Sequence, residues 1–228
     1  MNKNPLVSVV MSVYNSELSL KKSIESIISQ SYKNIEFLIM DDASSDNSSN
    51  IINQFQKIDK RIKIFNNKEN VGLTKSLNLL IKETKGELIA RQDADDISNK
   101  ERIKKQVDYI THKNLHASTT RAKIIGENRV TPRFSYLLPK KILIKYKNPY
   151  IHGSLIIKKS VLKEHNFYDE KFYYSQDYKL MSDLIKSRSR IGIIKEPLYY
   201  LNMKNNISTN YYKEQQYYAK CVKLGIEP

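Results

Sequence analysis

Several ordinary ingredients are scarce in this chain of 228 residues. Tryptophan is absent and cysteine occurs once, at Cys221. A single thiol excludes an internal disulfide framework and fits a reducing compartment. Nothing beside Cys221 would activate it, so it reads as inert. The six glycines (72, 86, 126, 153, 192 and 225) are too scattered to make a G-x-G-x-x-G fingerprint or a P-loop. Long apolar runs are missing as well. The longest, near Leu6–Val13 and Glu36–Met40, fall far short of the ~20 residues that span a bilayer. No signal-peptide apolar region precedes the first strand, so the expectation is a cytoplasmic protein. Repeats and low-complexity tracts are also absent.

Acids are in deficit, 24 against 39 Lys plus Arg, which leaves a net charge of +15. The excess is uneven. Pro139 to His165 carries seven lysines against the single acid Glu164, whereas Asp41 to Asp59 is neutral to acidic. One reading is a basic face for nucleic acid, acidic phospholipid or a phosphorylated substrate. The other is a coding bias toward lysine, and the sequence leaves both open. No helix-turn-helix, RRM or KH signature is present and clustered acids would repel a phosphate backbone, so nucleic acid is not expected as a partner.

What the chain does have is a core. Hydrophobic residues make up 40%, enough for one large α/β domain or a domain with a small appendage. Leu6 to Val13 is almost continuously apolar and reads as a strand covered on both faces. A helix follows, capped at Asn15 or Ser16, with Leu20, Ile24, Ile27 and Ile28 at helical spacing. Ile35 to Met40 is a second buried strand that stops at Asp41-Asp42-Ala43-Ser44-Ser45-Asp46. Asp46 or Ser48 caps the next helix (Ile51, Ile52, Phe55, Ile58). Strand Ile62 to Phe65 leads through Asn70-Val71-Gly72 to a helix with Leu73, Leu77, Leu80 and Ile81, and Gly86 reads as its left-handed cap. These successive βα units predict parallel strands joined by right-handed crossovers.

The organising stretch is Gly86 to Arg102. Strand Leu88–Ala90 ends abruptly at Asp93, Asp95 and Asp96, and Ser98-x-x-Glu101 reads as a capping box opening a helix with Ile103, Val107 and Ile110 inward. In open α/β sheets that carboxyl edge is where ligands bind. Carboxylates packed so closely repel one another unless a cation joins them, and aspartate oxygens suit Mg²⁺ or Mn²⁺ with positions open for substrate phosphates. A solvated turn explains the same residues without a metal.

The second half is less regular. Ala117 to Gly126 and Ser154 to Lys158 read as strands, with Pro132, Pro139 and Pro149 punctuating the basic segment between them. Gln176-Asp177 opens a helix with Leu180, Met181, Leu184 and Ile185 inward. Arg190 to Lys195 and Leu198 to Met203 read as two further strands. The tail, Asn210 to Gly225, is rich in Tyr and Lys and can form a peripheral amphipathic helix.

With these pieces assembled, the sequence resembles glycosyltransferase family 2 of the GT-A fold, in its bacterial surface-polysaccharide branch. The likeness is carried by Val9-Val10-Met11-Ser12-Val13-Tyr14-Asn15, Asp41-Asp42-Ala43-Ser44-Ser45-Asp46, Ala90-Arg91-Gln92-Asp93-Ala94-Asp95-Asp96 and Gln176-Asp177-Tyr178. Asn70-Val71-Gly72-Leu73, Ser76-Leu77-Asn78, Asn148-Pro149 and His152-Gly153-Ser154 add to it. It is strong from Val7 to about Tyr109, fair from Asn148 to Leu201 and thin elsewhere.

The resemblance implies a GT-A domain over 1–203: a mostly parallel central sheet flanked by helices, with a nucleotide-sugar-binding half (1–112) and a smaller acceptor-side half (113–203). Residues 204–228 form the tail. It implies a nucleotide-sugar donor, usually a UDP-sugar, and inversion at the anomeric carbon. Ser12 and Tyr14 would lie beside the base, Asp42 would accept its ring NH, Asp93 would hold the ribose, and Asp95 with Asp93 would bind the Mn²⁺ or Mg²⁺ that bridges the diphosphate. Asp177 matches the general base that takes the proton of an attacking hydroxyl; as a bare sequence feature it is equally an acid in a helix's first turn.

His152 and Gln176 border the expected acceptor. Arg91 can pair with donor phosphates or with the carboxylates; Arg102 is expected to neutralise carboxylates from inside its helix, and Asp46 to act as a helix cap rather than a ligand contact. The family commonly has Glu-Asp where this chain has Gln176-Asp177, and often Trp where it has Met181. The expected acceptor is a glycan or glycolipid of lipooligosaccharide or capsule type, reached at the inner face of an anionic membrane through the basic segment and the tail. Transfer to polyprenyl phosphate is the alternative; that acceptor, already an anion, needs little help from a base.

Overall fold

The computed structural model describes residues 4–204 and 211–228. Its first half follows the expected alternation: β1 (Val7–Val13), α1 (Glu17–Ile28), β2 (Ile35–Asp41), α2 (Ser48–Ile58), β3 (Ile62–Asn66), α3 (Leu73–Glu83) and β4 (Leu88–Arg91). Strands β3, β2, β1 and β4 lie side by side and parallel. Their apolar continuity has a direct cause. Val7, Val9, Met11 and Val13 pack on one face with α1, α2 and α4 (Arg102–His112), while Val10, Leu38 and Met40 pack on the other with α3 and α7 (Gln176–Lys186). A strand clad on both faces has no solvent side on which to place alternating polar residues.

The remaining elements are β5 (Ile97–Ser98), β6 (Ala117–Ile124), β7 (Val130–Thr131), α5 (Lys140–Leu143), β8 (Ile156–Lys158), α6 (Lys159–Glu164), β9 (Ile191–Leu201) and α8 (Tyr212–Leu224). They extend the same sheet in the order β3-β2-β1-β4-β8-β6-β9-β5, with β7 on β6. Strand β8 runs antiparallel to both β4 and β6, so the sheet continues without a break from one half of the chain into the other.

Four local expectations need correction. Ser98 and Glu101 do not form a capping box: Ser98 lies in β5 and its hydroxyl donates to Gln92 Oε1 at 2.6 Å. The amides at the start of α4 are met instead by Asn99 Oδ1, which takes Glu101 N–H, and by Gln30 Oε1, which takes Ile103 N–H. Gly86 is not a left-handed cap. A Cβ there would stand 2.5 Å from Ser8 Oγ and 2.7 Å from Leu6 O, so glycine is required by close packing of the chain on β1. His152–Ser154 is a 3-10 turn ahead of β8 rather than part of it.

The two strands expected after Arg190 are one, β9. Its pairing with β6 shifts register where Pro197 lies opposite Arg121. Proline cannot donate to the ladder, and a bulge lets the strand pass it rather than end there. In the tail, the expected helix is present over Tyr212–Leu224 and buries Cys221 and Val222; Asn210 lies outside the described residues.

Candidate active site

The strand ends of β1, β2 and β4 open onto one edge, and most of the singled-out residues stand there. Ser12, half-buried near the end of β1, pairs with Met40 of β2. Tyr14, one residue past the strand, is 51% exposed. Asn15 adopts φ +44° and its Oδ1 accepts Ser45 N–H at 2.8 Å, tying the loop after β1 to the loop after β2. Asp42, whose N–H bonds Val13 O, therefore sits beside the turn that carries Tyr14.

Asp42 is buried, and its carboxylate organises its own surroundings. Oδ1 accepts Asn67 Nδ2 at 2.7 Å and Val71 N–H at 3.0 Å; Oδ2 accepts Gly72 N–H at 2.9 Å. Of the roughly four acceptor positions a carboxylate offers, three are occupied, which leaves Oδ2 one lone pair for a ligand. Asp46 is a cap, as expected: Oδ1 takes Ser48 N–H at 2.9 Å and Oδ2 takes Glu17 N–H at 3.0 Å, serving the first turns of α2 and α1 together.

Beyond β4 the chain turns through the acidic cluster. Arg91 is fully buried, and its Nη2 is bonded to Asp93 Oδ1; Nε and Nη1 have no hydrogen-bond partner among the described residues. Arg91 is thus engaged inward with Asp93, whose own side chain is 31% exposed. Asp96 is buried and accepts Asn202 N–H at 2.7 Å. Burial, then the charges of Asp93 and Asp95, push its carboxyl well above the usual range. Asp95 remains half-buried at the surface of the turn. Burial, with the Asp93 charge beside it, raises its carboxyl to about 6.

Arg102 forms no ion pair with these acids among the described residues, although the charges of Asp93 and Asp96 favour its ionised form. It is completely buried, donates to Arg91 O at 3.1 Å, and lies over the Tyr199 ring at 5.4 Å, with its own charge disfavoured by burial to a value of about 10. Its role is to hold the backbone that carries the cluster.

Asp177 comes to the same place from the far half of the chain. It sits in the first turn of α7 behind Ser175, which has φ +53°. Oδ2 accepts Asn148 Nδ2 at 2.8 Å. Burial raises its pKa against that hydrogen bond, and the Asp93 charge raises it further, so the two carboxylates share one neighbourhood. Tyr168 lies between the two halves: the charges of Arg91, Asp93 and Asp177 all act on it, and its hydroxyl is 2.8 Å from His152 Nε2. Burial and the Arg91 charge push His152 well below the usual histidine range, so its ring is neutral. Gln176 is buried beside Asp177, and Met181 is fully buried in the core.

Three contributors were given no role by the sequence. Tyr199 of β9 accepts Asp93 N–H at 3.2 Å. Gly153 lies so near that a Cβ would fall 2.3 Å from Tyr199 Oη and 2.6 Å from Asp93 Oδ2. Asn148 is the third. The Asn148-Pro149 and His152-Gly153-Ser154 patches were visible as a resemblance, but what they touch is decided by the antiparallel placement of β8 between β4 and β6.

Among the described residues, no three His, Cys, Asp or Glu side chains converge as a ready-made metal cage. The donor set still suits a divalent cation completed by substrate. Asp95 offers a half-buried carboxylate held at a raised pKa beside a second negative charge, and Mg²⁺-type sites commonly take one or two carboxylates plus phosphate oxygens.

Comparison with known proteins shows the family and the fold. An uncharacterised glycosyltransferase of Haemophilus influenzae is 34% identical over 242 residues, covering 98% of this chain and 73% of that protein. The Escherichia coli enzyme WfgD, a UDP-Glc:alpha-D-GlcNAc-diphosphoundecaprenol beta-1,3-glucosyltransferase, is 30% identical over 216 residues, covering 92% and 82%. Among solved structures, S. aureus TarS 1-349 in complex with UDP superposes with a TM-score of 0.77 at 20% identity; the match covers 96% of this chain and 65% of the TarS chain. The mannosyltransferase PcManGT of Pyrobaculum calidifontis, in complex with GDP-Man and Mn2+, gives 0.79 at 16% identity, covering 100% and 67%. Both likenesses are of fold, and the fold is GT-A. The profile described as "Glycosyl transferase family 2" matches residues 8–167, and on these grounds the chain belongs to glycosyl transferase family 2.

Proposed function

We propose that this chain transfers a sugar from a nucleotide-sugar, a UDP-sugar in the first instance, to a hydroxyl of a surface-glycan acceptor carried on a lipid, with inversion at the anomeric carbon. The observation that carries the reading is that the Asp93 charge acts on Asp177, so that carboxylates from opposite halves of the chain influence one another. WfgD uses a UDP-sugar and a diphosphoundecaprenol-linked sugar, and TarS binds UDP-GlcNAc; both support the choice of substrates.

The roles we assign are those that the family resemblance implies. Tyr14, exposed at the end of β1, stacks on the base; Ser12 lies beside it, and Asp42 accepts the base NH on its free Oδ2 position. Asp93, steadied by Arg91 and by Tyr199 at its backbone, holds the ribose. Asp95, with Asp93, holds Mn²⁺ or Mg²⁺, which when bound supplies positive charge to the departing diphosphate. Arg91, buried on Asp93, acts on the donor through that carboxylate.

Asp177 is the general base. Its raised pKa makes it a stronger proton acceptor than a solvent-exposed aspartate, and Asn148 holds one of its oxygens. The acceptor oxygen attacks C1 as its proton passes to Asp177, and the nucleoside diphosphate leaves from the opposite face. No second carboxylic acid is needed, because a diphosphate leaves without protonation. His152, neutral and fixed by Tyr168, and Gln176 lie on the acceptor side.

The test is a screen of UDP-, GDP- and dTDP-sugars for thermal protection and hydrolysis with Mn²⁺ or Mg²⁺. Protection by a UDP-sugar is the expected result; no response to any donor overturns the proposal. Asp177→Asn separates the acceptor classes. It should keep donor binding and stop transfer to a hydroxyl, whereas retention of most transfer would point to a polyprenyl phosphate acceptor.

A further inference from the structure

Away from the strand-end cleft, α5, α7 and α8 enclose a groove of about 500 Å³. Five cations line it: Lys141 and Lys145 from the α5 side, Lys186 and Arg188 from the end of α7, and Lys223 from α8. No acid lines it, and none of the five forms an ion pair among the described residues. Its floor is apolar, built from Ile144, Ile185 and Val222. Five unpaired cations around one hollow repel each other until an anion enters, and an apolar floor does not suit a small hydrated ion.

The chain on and beside α5 and α8 adds a second, independent feature. On and beside α5, Leu138, Ile142 and Tyr146 are 53%, 59% and 69% exposed; at the end of α8 and just past it, Leu224 and Ile226 are 61% and 53% exposed. Large apolar side chains left in solvent on and beside the helices that build a basic groove match a surface that is anionic at headgroup depth and apolar below it.

We infer that this groove and its apolar rim are a docking site for anionic phospholipid headgroups, seating the chain on a membrane with the acceptor side toward the lipid. The segment that builds the groove also reaches the catalytic base. Ile144 O accepts the Tyr178 hydroxyl at 2.6 Å, and Asn148 bonds Asp177. Along α7, Ser182 and Lys186 lie roughly 8 to 14 Å from Asp177 at the helical rise, so the groove and the base are within the reach of one lipid-borne sugar. The purpose of docking rests on the glycosyltransferase reading; the docking itself does not.

The experiment is co-sedimentation of the full chain with vesicles of phosphatidylcholine alone or with about a third phosphatidylglycerol, run beside thermal protection by UDP with Mn²⁺. The variants are Lys145→Glu/Lys186→Glu, Ile142→Ser/Tyr146→Ser, and the charge-matched Lys21→Glu/Lys22→Glu on exposed positions of α1. The parent should bind the anionic vesicles, more weakly as salt rises. The groove variant should lose about tenfold or more of that binding, the rim variant should also weaken it, and the α1 variant should bind like the parent. Equal binding to both lipid mixtures, parent-like binding by the groove variant, or equal losses in the groove and α1 variants would overturn the site. UDP protection reports separately on the glycosyltransferase reading, and unchanged protection in the groove variant shows that it is folded.

Discussion

Asn148 holds Asp177: its side-chain amide donates to Oδ2 at 2.8 Å across the gap between the basic segment and the start of α7. This bond favours the ionised carboxylate, in opposition to burial and to the Asp93 charge. In Asn148→Ala the carboxyl pKa therefore rises further, and the acidic limb of the kcat–pH profile moves to higher pH. We expect kcat to fall by about tenfold, and Asp177→Asn to cost 10²–10⁴-fold, with donor affinity unchanged in both. An unmoved acidic limb in Asn148→Ala would remove Asn148 from the mechanism.

The role proposed for Asp95 predicts pH-dependent donor binding. Its folded pKa, about 6, stands above the ordinary 3.8 because of burial and the Asp93 charge. The folded chain thus binds a proton more readily than the unfolded chain between those values, and this group's contribution to stability declines as pH rises through that window. A cation competes for the same oxygens, so Mn²⁺-supported UDP binding should weaken as pH falls through about 6. Asp95→Asn should abolish the metal dependence and raise the Tm of the ligand-free chain at neutral pH. Calorimetric titration across pH and thermal melts check both.

Gly153 packs directly against Tyr199 and Asp93. An alanine methyl would fall 2.3 Å from Tyr199 Oη and 2.6 Å from Asp93 Oδ2, so both groups must move. Gly153→Ala should cost about 1–3 kcal/mol of stability and weaken donor binding by about tenfold, because Asp93 loses its position. Unchanged UDP affinity would show that Asp93 does not need that placement.

Asp46 tests the opposite claim, a carboxylate at the strand-end edge whose function is structural. Its two oxygens serve amides of α1 and α2, and its pKa is lowered: burial opposes the ionised form, but the bonds from Ser48 and Glu17 outweigh it. Its stabilising contribution is present above the ordinary aspartate value and is lost as pH falls through the depressed one. Asp46→Ala should lower stability by about 1–2 kcal/mol and Tm by about 2–6 °C, with donor affinity intact. A selective loss of UDP binding at unchanged Tm would make it a ligand contact.

The sequence alone determined the parallel half of the sheet, because strands covered on both faces are written as unbroken apolar runs and their helices as one-sided stripes. It also placed Asp42, Asp93, Asp95 and Asp177 at element ends, where side chains are free to meet a ligand. Tertiary structure decided what those carboxylates touch. Arg91 faces inward onto Asp93, Tyr199 reaches Asp93 from a strand more than a hundred residues away, and Asn148 reaches Asp177 only because β8 reverses direction between β4 and β6. Ser98 looked like a cap and became a strand residue because Gln92 offered its hydroxyl a buried partner; Arg190 to Met203 looked like two strands and became one because its pairing with β6 could shift register at Pro197. Local patterns record how each segment meets solvent and its nearest neighbours in the chain; contacts between distant segments leave no periodicity to read, and it is those contacts that turn scattered acids into a site.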